Sequence, residues 1–154
     1  MKALVDNNVQ LFSSSCDQKR IFLVNTLKEP MSVYADYDMI DAAMRNFLSN
    51  AIKYTKENGT IQIGAESSAD GIVVSVADNG VGMNKERLQH LFDPLPTSPL
   101  AYAGVRGERG AGLGLFLCKE LVEKCGGAIW LESKEDEGTK VFIKLLQSTP
   151  DRKS

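Results

Sequence analysis

The sequence predicts one α/β domain. Three patterns point there. "TIQIGAE" (60–66) alternates apolar and polar residues, as a half-buried strand does. "IVVSVAD" (72–78) is nearly continuous in apolar residues, as a central strand would be, and follows the turn signal "ADG" (69–71). Residues 36–54 carry an apolar stripe at helical spacing.

The remaining elements follow in chain order. Residues 3–18 read as a weakly patterned helix and "RIFLVNTL" (20–27) as a strand. "EPMSVYAD" (29–36) reads as a Pro-led turn and a short strand. Asp36 suits the N-cap of the next helix, with Asp38 and Asp41 in the early turns where negative charge favours the dipole. That helix is expected to reach about Tyr54 and to break at Gly59. "NKERLQHLF" (84–92) reads as a short helix. "DPLPTSPLAYAGVRGERG" (93–110) is a long, Pro- and Gly-rich loop, a kind of segment that is uncommon in compact domains unless it serves a function. "LGLFLCKELVEKC" (113–125) reads as a helix closed by Gly126 and Gly127, and "AIWLESK" and "TKVFIKLL" as a final hairpin across "EDEG". The domain spans 1–148, and residues 149–154 form a polar tail.

Composition narrows the class. The 154 residues are 43% hydrophobic and 25% charged, which fits a globular domain with its own core. A net charge of -2 gives no broad basic field, so nucleic acid is not expected as a partner. No apolar run approaches the ~20 residues that span a bilayer, and "MKALVDNNVQ" meets Asp and Asn too early for a secretion signal. Cys16, Cys118 and Cys125 lack metal-ligand spacing and read as small core residues of a reducing compartment.

Two stretches carry candidate chemistry. On the 36–54 helix, Asn46, Asn50 and Lys53 fall within a stripe roughly 60° wide beside the apolar face, and Tyr54 falls on the seam between them. Two stacked amides are a poor choice for a helix unless they bind something. "VADNGVGMN" (76–84) runs an apolar strand into Asp78 and then places Gly80 and Gly82. This is either a surface turn or a carboxylate held rigidly at a strand end, beside backbone that a small molecule can approach. "GVRGERGAGLGL" (104–115) then opens a helix with glycines, where free N–H groups favour phosphate. It is not followed by the Lys-Ser/Thr of a P-loop.

In this order, these motifs resemble the ATP-binding domain shared by histidine kinases, type II topoisomerases, mismatch-repair ATPases and a chaperone family, often called GHKL. Within that superfamily the chain looks most like the catalytic and ATP-binding domain of bacterial sensor histidine kinases, from about Arg20 to Leu146. "NFLSNAIKYT" (46–55) resembles the asparagine box. The resemblance implies that Asn50 ligates Mg²⁺, Asn46 sits beside metal and phosphates, Lys53 reaches phosphate, and Tyr54 packs near the base. "DNGVGM" (78–83) resembles the first glycine box, with Asp78 accepting from the adenine amine and Gly80, Gly82 and Met83 around the base. "HLFDP" (90–94) resembles the phenylalanine box, with Phe92 anchoring the ATP lid. "GAGLGL" (110–115) resembles the second glycine box, so Gly110, Gly112, Leu113 and Gly114 would close on phosphate; Ala111 stands where many members have Thr. "GTKVF" (138–142) resembles the last box, with Thr139 near the base. Arg106 and Arg109 lie in the lid without an assigned role.

The fold so implied is a two-layer α/β sandwich of the Bergerat type: a mixed, mostly antiparallel sheet of about five strands, with three main helices on one face. The activity implied is transfer of the ATP γ-phosphate to a histidine, with ATP and Mg²⁺ as cofactors. His90, the one histidine, is followed by Leu91 rather than an acid and reads as structural, so the acceptor is expected on a separate dimerisation domain. The implied partners are that domain, within a homodimeric parent, and a downstream response-regulator receiver. The expected location is the cytoplasm, with no membrane contact by this domain, although the parent could be anchored. Anti-sigma-type serine kinases and nucleotide-gated clamps want Glu where Asn46 stands. A non-kinase nucleotide-binding module is the remaining alternative.

Overall fold

In the computed structural model, residues 1–27, 33, 35–69, 71–89 and 111–146 are described, and side chains after residue 110 from Leu115 onward. Helix α1 spans Lys2–Lys19, strand β1 Phe22–Asn25, helix α2 Tyr37–Tyr54, strand β2 Thr60–Ser67 and strand β3 Gly71–Asp78. Helix α3 spans Lys85–Gln89, helix α4 Ala111–Lys124, strand β4 Ala128–Lys134 and strand β5 Gly138–Leu146. The strands form one sheet in the order β1-β2-β3-β5-β4. β1 and β2 pair in parallel with α2 as their crossover, and the other pairs are antiparallel. The expected mixed, mostly antiparallel five-stranded sheet with three long helices is what forms. β3 is central, as its apolar run requires.

Alternation sorts each strand onto two faces. Ile61 and Ile63 of β2, Ile72, Val74 and Val76 of β3, and Val141, Ile143 and Leu145 of β5 are all buried. They meet Ile40, Met44, Phe47, Leu48 and Ala51 of α2, and Leu115, Cys118 and Val122 of α4. The opposite face carries Gln62, Lys140 and Trp130, whose ring stacks on Phe142 at 5.2 Å between centroids. Burial pushes the Cys118 thiol up to about 12, and its Sγ lies 3.7 Å from the Ala43 carbonyl, within hydrogen-bonding reach. That thiol is therefore an inert packing group.

Helix α2 is fixed at both ends. Asp36 caps it, its carboxylate accepting from the Met39 N–H at 3.1 Å. Buried Asn8 of α1 donates to Asp41 at 2.8 Å, tying the two helices together near that end. At the other end the Lys19 ammonium donates to the carbonyls of Ile52 and Lys53 at 2.7 and 3.2 Å. A cation on those last carbonyls satisfies them and complements the dipole.

The helix ends at Tyr54, as expected, but the break is not made by Gly59: the C-cap residue Thr55 is already extended (φ -89°, ψ 136°). The left-handed residue of the following turn is Asn58, at φ 71°. Asn tolerates that region because its short polar side chain bonds locally. Gly59 serves space instead: a Cβ there would crowd the Asn79 amide oxygen and the Lys56 carbonyl. The sequence also drew β1 four residues too long, and started α4 two residues late and ended it one residue late. Most of the expected short strand at 29–36, and the lid at 93–110, lie outside the described residues.

Candidate functional site

The end of β3, the face of α2 and the last hairpin meet at one pocket. It is lined by Phe47, Asn50, Ala51 and Tyr54 from α2, and by Val76, Asp78 and Met83 from β3 and the loop after it. Arg87 of α3, Leu115 of α4, Leu131 of β4, and Thr139 and Val141 of β5 complete it. Its open volume is about 20 Å³, room for roughly one water.

Asp78 is the pocket's anion. It is the last residue of β3, paired with Ile61 on one side and Thr139 on the other. Its Oδ1 accepts from the N–H of Gly80 at 2.9 Å and of Thr139 at 3.3 Å. Burial nevertheless pushes its pKa up to about 6, against the pull of those two donors. The carboxylate is oriented by the backbone yet short of charge compensation, a condition that an amine donor would relieve.

The glycines after Asp78 do more structural work than the sequence suggests. A Cβ on Gly80 would run into the Tyr54 carbonyl, and one on Gly82 into the Lys134 carbonyl. Gly82 also holds φ 68°. The two glycines therefore let the loop lie against α2 and against the β4–β5 hairpin. Around them the Val81 N–H donates to the Tyr54 carbonyl at 3.1 Å, and the Asp136 N–H donates to the Val81 carbonyl at 2.7 Å. Ser133 joins the corner: its Oγ accepts from the Met83 N–H at 2.9 Å and lies 2.8 Å from the Thr139 hydroxyl.

On α2 the polar stripe divides. Asn50 lines the pocket, and its buried Nδ2 has no hydrogen-bond partner among the described residues. Asn46 does not line it; its Nδ2 donates back to the Ala42 carbonyl at 3.0 Å. Lys53 is half-buried on the same stripe, also outside the lining. Tyr54 is buried, and its hydroxyl accepts from Arg87 at 3.1 Å.

The structure thus brings Asn50, Tyr54, Asp78, Met83 and Thr139 to one pocket, with Gly80 and Gly82 in the loop that joins Asp78 to Met83 but not in its lining. Gly112, Leu113 and Gly114 lie in the first turn of α4, immediately before Leu115 of the lining. His90, Phe92, Gly110, Arg106 and Arg109 lie outside the described residues. Sequence reasoning missed Arg87 and Ser133. "NKERLQHLF" reads as a short helix with no role assigned to Arg87, and only its docking beside Tyr54 reveals one. Ser133 left one usable signal, a small hydroxyl on an otherwise charged strand end.

Comparison with known proteins gives the family and the fold. The family described as histidine kinase-, DNA gyrase B-, and HSP90-like ATPase matches residues 35–149, and the chain belongs to it. The sensor protein SrrB of Staphylococcus aureus is 36% identical over 110 residues, covering 71% of this chain and 18% of its own length. The chain therefore spans under a fifth of the sensor proteins it matches. The catalytic domain of histidine kinase ThkA superposes with a TM-score of 0.79 at 29% identity, covering 96% of this chain and 92% of that one. ThkA solved in complex with the response regulator protein TrrA gives a TM-score of 0.77 at 26% identity, over 96% of this chain and 40% of that one.

Proposed function

We propose that this chain is the ATP-binding catalytic domain of a two-component sensor histidine kinase. One observation carries the reading: Asp78 at a strand end and Asn50 on a helix line the same pocket, with Thr139 and Tyr54 beside them. Asp78 recognises the adenine amine. A carbonyl at that position of the base, as in guanine, would set acceptor against acceptor. Thr139 and Met83 border the base, and Tyr54 packs near it. Asn46, Lys53, Gly110, Gly112, Leu113 and Gly114 serve the phosphate side, and Phe92 anchors the lid.

Magnesium fits the donor set. The Asn50 carboxamide has one buried end without a partner, and a half-turn about its last torsion presents oxygen there instead of nitrogen. A hard cation that keeps waters and phosphate oxygens around it needs few such ligands. When bound, the ion would neutralise phosphate charge. The chain's own task is positioning: its residues hold base and phosphates, and the buried walls keep bulk water from the γ-phosphorus.

In the reaction proposed, an imidazole nitrogen of a separate dimerisation domain forms a bond to the γ-phosphorus. The bond from that phosphorus to the bridging oxygen breaks, and ADP leaves with its electrons. The phosphorylated ring then sheds its other N–H proton. A neutral imidazole is already a nucleophile, so Asn46 need not be a base. An amide at that position cannot deprotonate water, and hydrolysis by the domain alone is therefore slow.

The proposed partners are the histidine-bearing domain of a homodimeric parent and a response-regulator receiver. The proposed location is cytoplasmic; among the described residues no helix is long and apolar enough to cross a membrane. The test is autophosphorylation in trans, with γ-labelled ATP and a separate dimerisation segment from the parent. Label on that segment's histidine, with negligible ATPase by the domain alone, is the expected result. Brisk Mg-dependent hydrolysis and no labelled histidine would overturn the kinase assignment.

A further inference from the structure

Arg87 lies beyond every motif that the resemblance supplies. It belongs to the short helix α3, whose first turn Asn84 caps by accepting from the Arg87 N–H at 2.9 Å. From there its side chain enters the pocket. Nη2 donates to the Tyr54 hydroxyl at 3.1 Å, and the guanidinium carbon sits 5.3 Å from the Tyr54 ring centroid. These two contacts fix the plane of the group. Its Nε is buried and has no hydrogen-bond partner among the described residues.

That orphan differs from the Asn50 amide. A carboxamide can exchange its donor for an acceptor by turning over, whereas a guanidinium carries donors only. In this position, held by the Tyr54 hydroxyl, Nε is closed off from solvent. Buried donors are satisfied in folded proteins, and exceptions mark places where a partner is still to arrive. Of the acceptors lining the pocket with it, Asp78 Oδ1 takes two backbone N–H groups, the Tyr54 hydroxyl already serves Arg87 itself, and the second Asp78 oxygen is the one proposed to face the adenine amine.

We propose that Arg87 is a further nucleotide-binding residue, whose Nε–H donates to an acceptor atom of the bound adenine nucleotide while Tyr54 holds the guanidinium in place. This rests on reading the pocket as an ATP site. The class of ligand atom is an oxygen or ring nitrogen with a free lone pair. Phosphate, ribose and purine can each supply one, and truncated ligands tell them apart.

The experiment is calorimetric titration of the domain with ATP, ADP, AMP and adenosine, for the unsubstituted chain, Arg87→Met, Arg87→Lys and Asp78→Asn. Binding of ATP by the unsubstituted chain, lost in Asp78→Asn, establishes the site independently of Arg87. Failure at that step would sink the ATP reading itself. Given that site, Arg87→Met should weaken ATP binding by about tenfold to a hundredfold, the effect of one charge-assisted hydrogen bond. Arg87→Lys should recover part of it. An equal loss with adenosine assigns the acceptor to base or sugar; a loss that appears only with AMP, ADP or ATP assigns it to phosphate. The Arg87 Nε–H resonance should also shift and gain exchange protection on nucleotide addition, which a purely structural arginine would not show. Unchanged affinity overturns the proposal. So does tighter binding by Arg87→Met, which would make Arg87 a plug that the nucleotide must expel.

Discussion

The pocket has two unlike sides. At the strand end the polar groups are already tied to one another. Asp78 holds Gly80 and Thr139, Ser133 holds Met83 and touches Thr139, and Asn79 accepts from the Thr60 N–H at 2.8 Å. On the helix side two donors are left open: among the described residues, Asn50 Nδ2 and Arg87 Nε are buried without hydrogen-bond partners. The first side is preorganised by its own backbone. The second is completed by what binds. A flat, rigid base suits the first side, and charged, hydrated phosphates with their metal suit the second.

Substitutions should therefore behave differently on the two sides, and the largest effect is expected at Asp78. Asp78→Asn keeps Oδ1 for Gly80 and Thr139 but turns the other oxygen into a donor facing the adenine amine. Affinity for ATP should fall on the order of a hundredfold. The unliganded domain should become more stable at pH 7.5, by about 1–3 kcal/mol, because a desolvated charge has been removed. Titration and thermal melting on one sample set measure both. Lower stability together with lost binding would mean that the carboxylate holds the fold rather than the ligand.

Asn50→Ala probes the helix side. Removing an amide whose buried nitrogen has no hydrogen-bond partner among the described residues should leave the melting temperature of the unliganded domain nearly unchanged. Binding of ATP with magnesium should weaken about tenfold, and binding in excess chelator should stay as it was. Equal losses with and without the metal would show that Asn50 contacts the nucleotide alone, and the two-sided picture would have to be redrawn.

Much of this was readable in the sequence. The 100° geometry of α2 separated Asn46, Asn50 and Lys53 from Phe47, Met44 and Ala51, and the structure buries the second group and half-exposes the first. β3 announced itself as central by its apolar run. What stayed hidden depended on how elements pack across space. The parallel pairing of β1 with β2 needs the α2 crossover to be placed first. The roles of Gly80 and Gly82 depend on which carbonyls approach them, and those belong to residues 54 and 134. Arg87 sits in a five-residue helix too short to show an amphipathic period, so no pattern could aim it at Tyr54.

The smallest expected effect is the pH dependence of base binding. The folded-state pKa of Asp78 is raised from 3.8 to about 6, so ionisation opposes folding in the unliganded domain. Its share of stability is fully present below about pH 4 and is lost as pH rises through about 6. Binding runs the other way, because the adenine amine prefers the carboxylate. Affinity should be flat above pH 7 and weaken as pH falls through 6, by about fourfold at pH 5.5. Adenosine is the probe for this, since it carries no phosphate to titrate in the same range. The Asp78 carboxyl carbon reports the group directly: it should titrate near 6 in the free domain and lower when adenosine is saturating. A carboxyl that titrates near 4 without ligand, or that does not move when adenosine binds, would place the desolvated acid and the base in different parts of the pocket.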